Sequence, residues 1–166
     1  MPRPVYIVVA KDVVEDKSKS FVSIFSVLEL LNMTVAPPRE NVDPNLLAEL
    51  NDAHRRATEF SAISVWMREN GDENVLFEHQ FAMVFPDRED PVPAYPFQFS
   101  AQFAQIRFRL TIQGIRPLEE SCTIYVDSRV RRLDTGDQWQ QRYPIICNVQ
   151  QPQQHPAPQE GNGHAI

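Results

Sequence analysis

The sequence predicts a mainly β protein, a single antiparallel β-sandwich with one short helical insertion. Several segments alternate apolar with polar residues and are separated by turn residues at regular intervals, which is typical of sandwiches. Only one segment has a helical period, so strands and helices do not alternate as they do in parallel α/β folds. The 14 prolines against 5 glycines suit ordered loops between strands. A length of 166 residues fits one domain, which we place at residues 1–149, followed by a polar tail at 150–166.

Composition and charge limit the classes of partner. The chain is 42% hydrophobic and 23% charged, which is sufficient for an ordinary core. A net charge of −6 disfavours a nucleic-acid partner, because phosphate binding normally requires a basic surface. No apolar run is long enough for a signal peptide or a membrane span. We therefore expect a cytoplasmic protein without a membrane span.

The first predicted element is a hairpin. Residues 4–14, PVYIVVAKDVV, carry apolar side chains on both faces, which indicates a strand covered on both sides rather than an edge strand. The stretch EDKSKS supplies a polar turn of six residues, and FVSIFSVLELL supplies the second strand.

A single amphipathic helix is predicted at residues 44–56. Asp43 and Pro44 form a typical N-cap and first-turn pair, and apolar residues follow at helical spacing. Arg55 and Arg56 fall in the last turn, where positive charge suits the helix dipole. We expect this helix to pack on a sheet or to close one end of the sandwich.

A second hairpin is predicted after the helix, where the period changes to 2. A three-residue loop that ends at a left-handed Gly71 pairs Val65 with Val75 and Ile63 with Phe77. The expected inner faces are then Ile63, Val65 and Met67 on one strand, and Val75, Phe77, Phe81, Met83 and Phe85 on the next.

Three further strands are predicted beyond an acidic, proline-broken loop at residues 86–96. The first is QIRFRLTIQG, residues 105–114, in which Ile106, Phe108, Leu110 and Ile112 share one face. SCTIYVDSRVRR follows, with Cys122, Ile124, Val126 and Val130 facing inward. QWQQRYPIICNV is the last, and its Pro144 indicates an edge or a bulge. The polar, proline-rich residues 150–166 are predicted to be disordered.

Two passages resemble an uncharacterised bacterial domain family of unknown function. Asp12, Lys17, Ser23, Ile24 and Phe25 match its opening hairpin, in which a strand ending near an aspartate precedes a Lys-containing turn and a second strand. LEESCTIYVDSRVRR resembles its penultimate strand. The chain departs from the family at the helix and at Glu119-Glu120, where a glycine is expected. The resemblance implies an immunoglobulin-like or C2-like β-sandwich and implies no activity.

No metal or cofactor site is predicted. The histidines, which are His54, His79, His155 and His164, lack the spacing that places two imidazoles on one metal ion. His79 lies between two phenylalanines on an apolar face and is interpreted as a core residue. Cys122 and Cys147 each lie in an apolar pattern, which indicates small buried hydrophobes rather than a disulfide framework.

Calcium binding stays open as an alternative. Three turns carry carboxylates, which are Asp72 and Glu73, then Asp87, Glu89 and Asp90, and finally Asp134 and Asp137. If these turns converge at one end of the sandwich, they offer the oxygen ligands that Ca²⁺ requires. If they do not, the carboxylates are ordinary solvated charge.

Arginines alternate along two of the predicted strands, Arg107 and Arg109 on one and Arg129 and Arg131 on the next. If the two strands are antiparallel neighbours, these side chains share an outer face, although cross-strand pairing with Glu or Asp is the ordinary alternative. Guanidinium groups bind carboxylates, so such a stripe, with Trp66 as an anchor if exposed, suits an acidic protein surface.

We therefore expect a non-catalytic interaction or accessory module that binds a protein. The alternative is a ligand- or calcium-binding C2-like sandwich. An enzyme of unknown reaction comes third, because the chain has no G-x-S-x-G elbow, no glycine-rich phosphate loop and no cysteine adjacent to a histidine.

Overall fold

The computed structural model describes residues 2–16, 21–34 and 43–150. The chain is mainly β. Its elements are β1 (Arg3–Asp16), β2 (Phe21–Val27), β3 (Leu30–Thr34), α1 (Pro44–Ala57), β4 (Phe60–Met67), β5 (Leu76–Val84), β6 (Val92–Pro93), β7 (Phe97–Ser100), β8 (Gln105–Ile112), β9 (Cys122–Arg132) and β10 (Gln138–Gln150).

The strands form two sheets. Sheet A has the order β2-β1-β4-β8, and sheet B has the order β3-β10-β9-β5-β6, with β7 also paired to β5. All described pairs are antiparallel except β3 with β10, which is parallel. Both sheets contribute to one hydrophobic cluster, with Val9, Phe60, Ala62 and Ile112 from sheet A and Phe81, Ile124, Val126, Ile145 and Cys147 from sheet B. Burial of this shared apolar surface is the main force that holds the sheets together.

The pairing of the first hairpin is confirmed, but Glu15 and Asp16 of the predicted turn belong to β1, and the rest of that turn, 17–20, lies outside the described residues. The expectation that β1 is covered on both sides is wrong for Val5, Tyr6 and Val14, which are exposed. β1 pairs with β2 from Ala10 opposite Val27 to Asp16 opposite Phe21, and β1 lies between β2 and β4 as an interior strand. The segment FVSIFSVLELL, however, is two strands. Ser26 has a φ of 53°, Leu28 N donates to Val9 O, and Ile146 N donates to Glu29 O. The chain thus leaves sheet A after β2 and enters sheet B as β3.

The helix is confirmed at Pro44–Ala57. The Asp43 carboxylate accepts a hydrogen bond from Asn45 N at 2.8 Å, which satisfies one of the free amides of the first turn. At the other end, His54 Nε2 lies 2.9 Å from Ile115 O, and Lys11 Nζ donates to Ala57 O. These contacts hold the C-terminal end of α1 against β1 and the connection that follows β8. None of the helix residues is buried, so α1 lies on the surface.

The predicted pairing of the strands on either side of Gly71 is wrong. Gly71 is left-handed as expected, with a φ of 92°, but β4 belongs to sheet A and β5 to sheet B. The turn is held by Asp72, whose carboxylate accepts from Glu69 N at 3.1 Å and whose backbone carbonyl accepts from Val75 N at 3.1 Å. The connection therefore crosses between the sheets rather than closing a hairpin.

The predicted inner face of β4 is also wrong. Phe60, Ala62, Ser64 and Trp66 face sheet B, while Ile63 and its neighbours two residues away lie on the outer face. Both faces of this central strand are buried, so the apolar pattern alone did not distinguish them.

The later strands follow the predicted faces. Phe108 and Leu110 of β8 pack against the hydrophobic cluster shared by the two sheets, and Ile106 packs against a second, smaller cluster of Trp66, Phe77, Ala101 and Val130. Ile124, Val126 and Val130 of β9 are buried. Pro144 of β10 pairs only with β9, because the pairing with β3 begins at Ile146. The predicted tail at 150–166 lies, beyond Gln150, outside the described residues. No helix among the residues described is long and apolar enough to cross a membrane.

Candidate functional site

The structure separates the two pairs of arginines. β8 pairs with β4 in sheet A, and β9 lies between β10 and β5 in sheet B, so β8 and β9 are not neighbours. Arg107 and Arg109 lie on the outer face of sheet A, and Arg129 and Arg131 lie on the outer face of sheet B. The expected single basic stripe is therefore absent from the described residues, because the arginines of β8 and those of β9 lie on the outer faces of different sheets.

Arg107 and Arg109 lie alongside the central strand of sheet A. In the register, Arg107 is opposite Val65 and Arg109 is opposite Ile63. Val65 is 0% exposed and Ile63 is 1% exposed, although both are on the outer face. Long arginine stems cover apolar neighbours. Arg107 is half-buried, with its Nε atom out of contact with solvent, whereas Arg109 is exposed and its Nη2 donates to Ser61 Oγ at 3.4 Å. The two arginines thus shield the outer side of β4.

Arg129 and Arg131 are held by carboxylates. Arg131 Nη2 donates to Glu78 Oε1 at 2.9 Å, and Arg129 Nη2 donates to Asp127 Oδ2 at 3.2 Å. Asp127 is 0% exposed and also accepts two hydrogen bonds from Arg142, at 2.7 and 2.9 Å. Burial raises the pKa of Asp127, but the hydrogen bonds from Arg142 and Arg129 outweigh it and hold the pKa below its ordinary value. This group is a structural ion network.

Trp66 is fully buried and presents no surface to a partner. Its Nε1 donates to Ser64 Oγ at 3.2 Å, and Ser64 Oγ lies 3.2 Å from His79 Nε2. Ser128 Oγ lies 2.8 Å from the same nitrogen, so four polar side chains connect the two sheets through the core. The His79 ring also stacks on Phe108 at 3.8 Å between centroids.

This buried network has two elements of a nucleophilic site, a hydroxyl and an imidazole within hydrogen-bond distance. Three features oppose catalysis. Ser64 and Ser128 are each 0% exposed, His79 stacks on an aromatic ring, and burial lowers the pKa of His79 to about 3. An imidazole with that pKa is a weak base at neutral pH, and no lining residue of a described cavity belongs to the network. Its role is to satisfy polar groups between the sheets, as expected for a core histidine.

The acidic turns do not converge. The turn at Asp134 lies near Asp72, since Leu133 N donates to Leu76 O, whereas Asp87 follows the opposite end of β5 and pairs with Arg116. The Asp134 carboxylate accepts a hydrogen bond from Arg132 Nε at 2.6 Å. Within the described ranges, no group of three or more His, Cys, Asp or Glu side chains could hold a metal ion.

The two cysteines lie opposite each other in the β9–β10 register, and both are free thiols. Cys147 is buried as predicted, and Cys122 packs partly buried against the same cluster. Burial raises the pKa of the Cys147 thiol to about 11, which makes it a poor nucleophile at neutral pH.

The surface that sequence reasoning missed is the open edge where β8 of sheet A faces β6 and β7 of sheet B. A cavity of about 160 Å³ lies there, lined by apolar side chains that include Phe81, Met83, Val92, Ala94, Leu110 and Ile112. Three aromatic residues of the segment that leads from β6 to β8, which we call the aromatic edge, are exposed: Tyr95 by 98%, Phe97 by 60% and Phe103 by 74%. The sequence signal was available, because aromatic residues recur within the proline-broken stretch PVPAYPFQFSAQF, where no core strand was expected.

Comparisons of the chain with protein-family models, with curated proteins and with solved structures give no match. Function is therefore inferred from the geometry of the chain itself.

Proposed function

We propose that the chain is a non-catalytic protein-binding module that uses the open edge between β8 and β6–β7. The observation that carries this proposal is the aromatic edge, because Tyr95, Phe97 and Phe103 expose most of their side chains in one short segment. Scattered single hydrophobes are normal on a protein surface, but grouped aromatic residues are typical of interfaces. The proposal includes assignment of the two sheets to an immunoglobulin-like or C2-like β-sandwich, supported by their shared core and the predominance of antiparallel pairs.

A protein partner suits this surface better than a nucleic acid. The chain carries a net charge of −6, and Arg129 and Arg131 are already paired with carboxylates of sheet B. Arg109 is exposed on β8 with a hydroxyl as its hydrogen-bond partner, so this edge strand offers a cation to an acidic group of a bound protein.

Affinity capture from a native lysate of the source organism tests the proposal. The full chain is compared with Tyr95→Ser/Phe103→Ser, which removes the two most exposed aromatic side chains of the edge. The matched control is Leu46→Ser/Leu50→Ser, which removes two exposed apolar side chains from α1. We expect a partner to be retained by the wild type and the control and reduced about tenfold by the edge variant. Equal capture by all three, or no specific capture, contradicts the proposal.

A second candidate is binding of a small apolar ligand, favoured by the cavity of about 160 Å³ and its apolar lining. Cavities of about 150 Å³ with such a lining accept benzene. Saturation with benzene should then raise the melting temperature of the wild type but not of Ala94→Leu, which fills the cavity. No shift for either protein opposes this candidate.

A further inference from the structure

The two edges that face each other at the opening differ in how they are protected. On sheet B this edge is divided between two short strands, β6 of two residues, one of which is Pro93, and β7 of four residues, with prolines before, within and after β6. Short edge strands and prolines prevent the addition of another strand. On sheet A the edge strand β8 has eight residues and no proline, and β4 is its one partner among the described strands. β8 is therefore the edge that is able to accept a further strand.

The inner side of β8 has room for a guest side chain. Leu110 and Ile112 line the cavity of about 160 Å³ from sheet A, and Val92 and Ala94 line it from the edge of sheet B. A strand added beside β8 extends sheet A over this edge, so its inward side chains point toward the cavity. A volume that accepts benzene also accepts the ring of a phenylalanine or the branched end of a leucine.

The outer side of β8 selects for negative charge. Arg107 and Arg109 alternate with the inward residues, and the side chains of an added strand that lie beside them are their cross-strand neighbours. Acidic residues are favourable there. A second copy of β8 is unfavourable, because antiparallel pairing of two such strands places arginines near arginines.

We propose that β8 binds an extended segment of the partner protein as an added strand, with Leu or Phe in the cavity and Asp or Glu beside Arg109. This proposal rests on the proposed protein-binding function and names its mode. Main-chain hydrogen bonds along β8 supply affinity, and the alternation of acidic with apolar residues supplies specificity.

Selection of peptides by the immobilised full chain tests this mode without knowledge of the natural partner. The probe is a displayed library of random twelve-residue peptides. We expect enriched peptides in which acidic residues alternate with Leu or Phe at spacing two. Arg109→Glu should weaken their binding about tenfold, since an opposite-charge neighbour becomes a like-charge one. Arg131→Glu is the matched control, because it makes the same charge change on the outer face of sheet B and should leave binding unchanged.

Two further measurements keep the test independent of the folding of one variant. Ala94→Leu fills the cavity from sheet B and should remove the preference for Leu or Phe while leaving the acidic preference. N-methylation of an enriched peptide removes amide donors, and in a strand only alternate amides face β8. Methylation should therefore abolish binding at one set of alternate positions and be tolerated at the other.

The outcomes separate the two proposals. Absence of an alternating pattern, or tolerance of methylation at every position, overturns strand addition. If lysate capture still depends on the aromatic edge, the protein-binding function stands with a different mode. If lysate capture fails as well, the proposed function itself is wrong.

Discussion

His79 makes the stability of the fold depend on pH in a window that the structure defines. The residue is 3% exposed, and burial lowers the pKa of its imidazole from the ordinary 6.5 to about 3. In the unfolded chain the same group has a pKa of about 6.5. Between these values the unfolded state binds a proton that the folded state excludes, so stability rises with pH there. The contribution of the neutral His79 to the free energy of unfolding is fully present above pH 6.5 and is lost progressively as the pH falls toward 3.

The magnitude follows from the linkage relation. Each pH unit below the unfolded pKa costs about 1.4 kcal/mol, which gives a loss of about 2 kcal/mol between pH 7.5 and pH 5 from this one residue. Other groups also titrate, so the wild type is compared with His79→Gln, which retains a polar side chain near Ser64 and Ser128 but does not titrate.

Urea denaturation at both pH values measures the effect. We expect His79→Gln to be less stable than the wild type at pH 7.5, because it loses the stacking on Phe108. Its loss of stability between pH 7.5 and pH 5 should be smaller than that of the wild type by about 2 kcal/mol. Equal losses for both proteins, or an NMR titration that places the folded pKa of His79 above 5.5, refute the assignment of a neutral buried imidazole.

Three further predictions concern single side chains. Asp127→Asn should lower the free energy of unfolding by about 3 kcal/mol, because it leaves Arg142 and Arg129 without their buried carboxylate. The control Asp134→Asn, in an exposed turn, should have little effect. Urea denaturation measures both variants, and equal effects contradict the buried network. Ser64→Ala should cost about 2 kcal/mol by leaving Trp66 Nε1 without its acceptor, and an unchanged midpoint in the same assay opposes that contact. Arg109→Ala should destabilise by about 1 kcal/mol and Arg109→Met by less, since Met retains the stem beside Ile63; equal melting temperatures for the two variants contradict the shielding role.

The elements of this fold were readable from the sequence because each has a strong local signal. The pair Asp43-Pro44 correctly predicted the N-terminus of α1, and strict alternation from Ile106 to Ile112 correctly predicted which face of β8 points inward. For β4 the local sequence pattern does not decide the structure. Both of its faces are buried, so period-2 patterning does not indicate which face meets sheet B, and the turn at Gly71 does not encode whether the chain pairs or crosses over.

The candidate site depends on contacts that are remote in sequence. Arg107 and Arg129 alternate in similar patterns, yet sheet pairing places them on opposite sides of the molecule. The open edge joins residues near Ala94 with residues near Leu110, and its cavity exists only because two sheets end beside each other. Aromatic residues in a proline-broken stretch were the one local indication, since a loop has no packing need for several exposed rings.

Amide hydrogen exchange along β8, followed by NMR on the isolated full chain, tests the central claim of an open edge most directly. In an edge strand every second amide is bonded to its neighbour and the others face solvent. We predict slow and fast exchange in strict alternation from Gln105 to Ile112, with the slow amides bonded to β4. Uniformly slow exchange along β8 contradicts the claim, because it means that the edge is already covered.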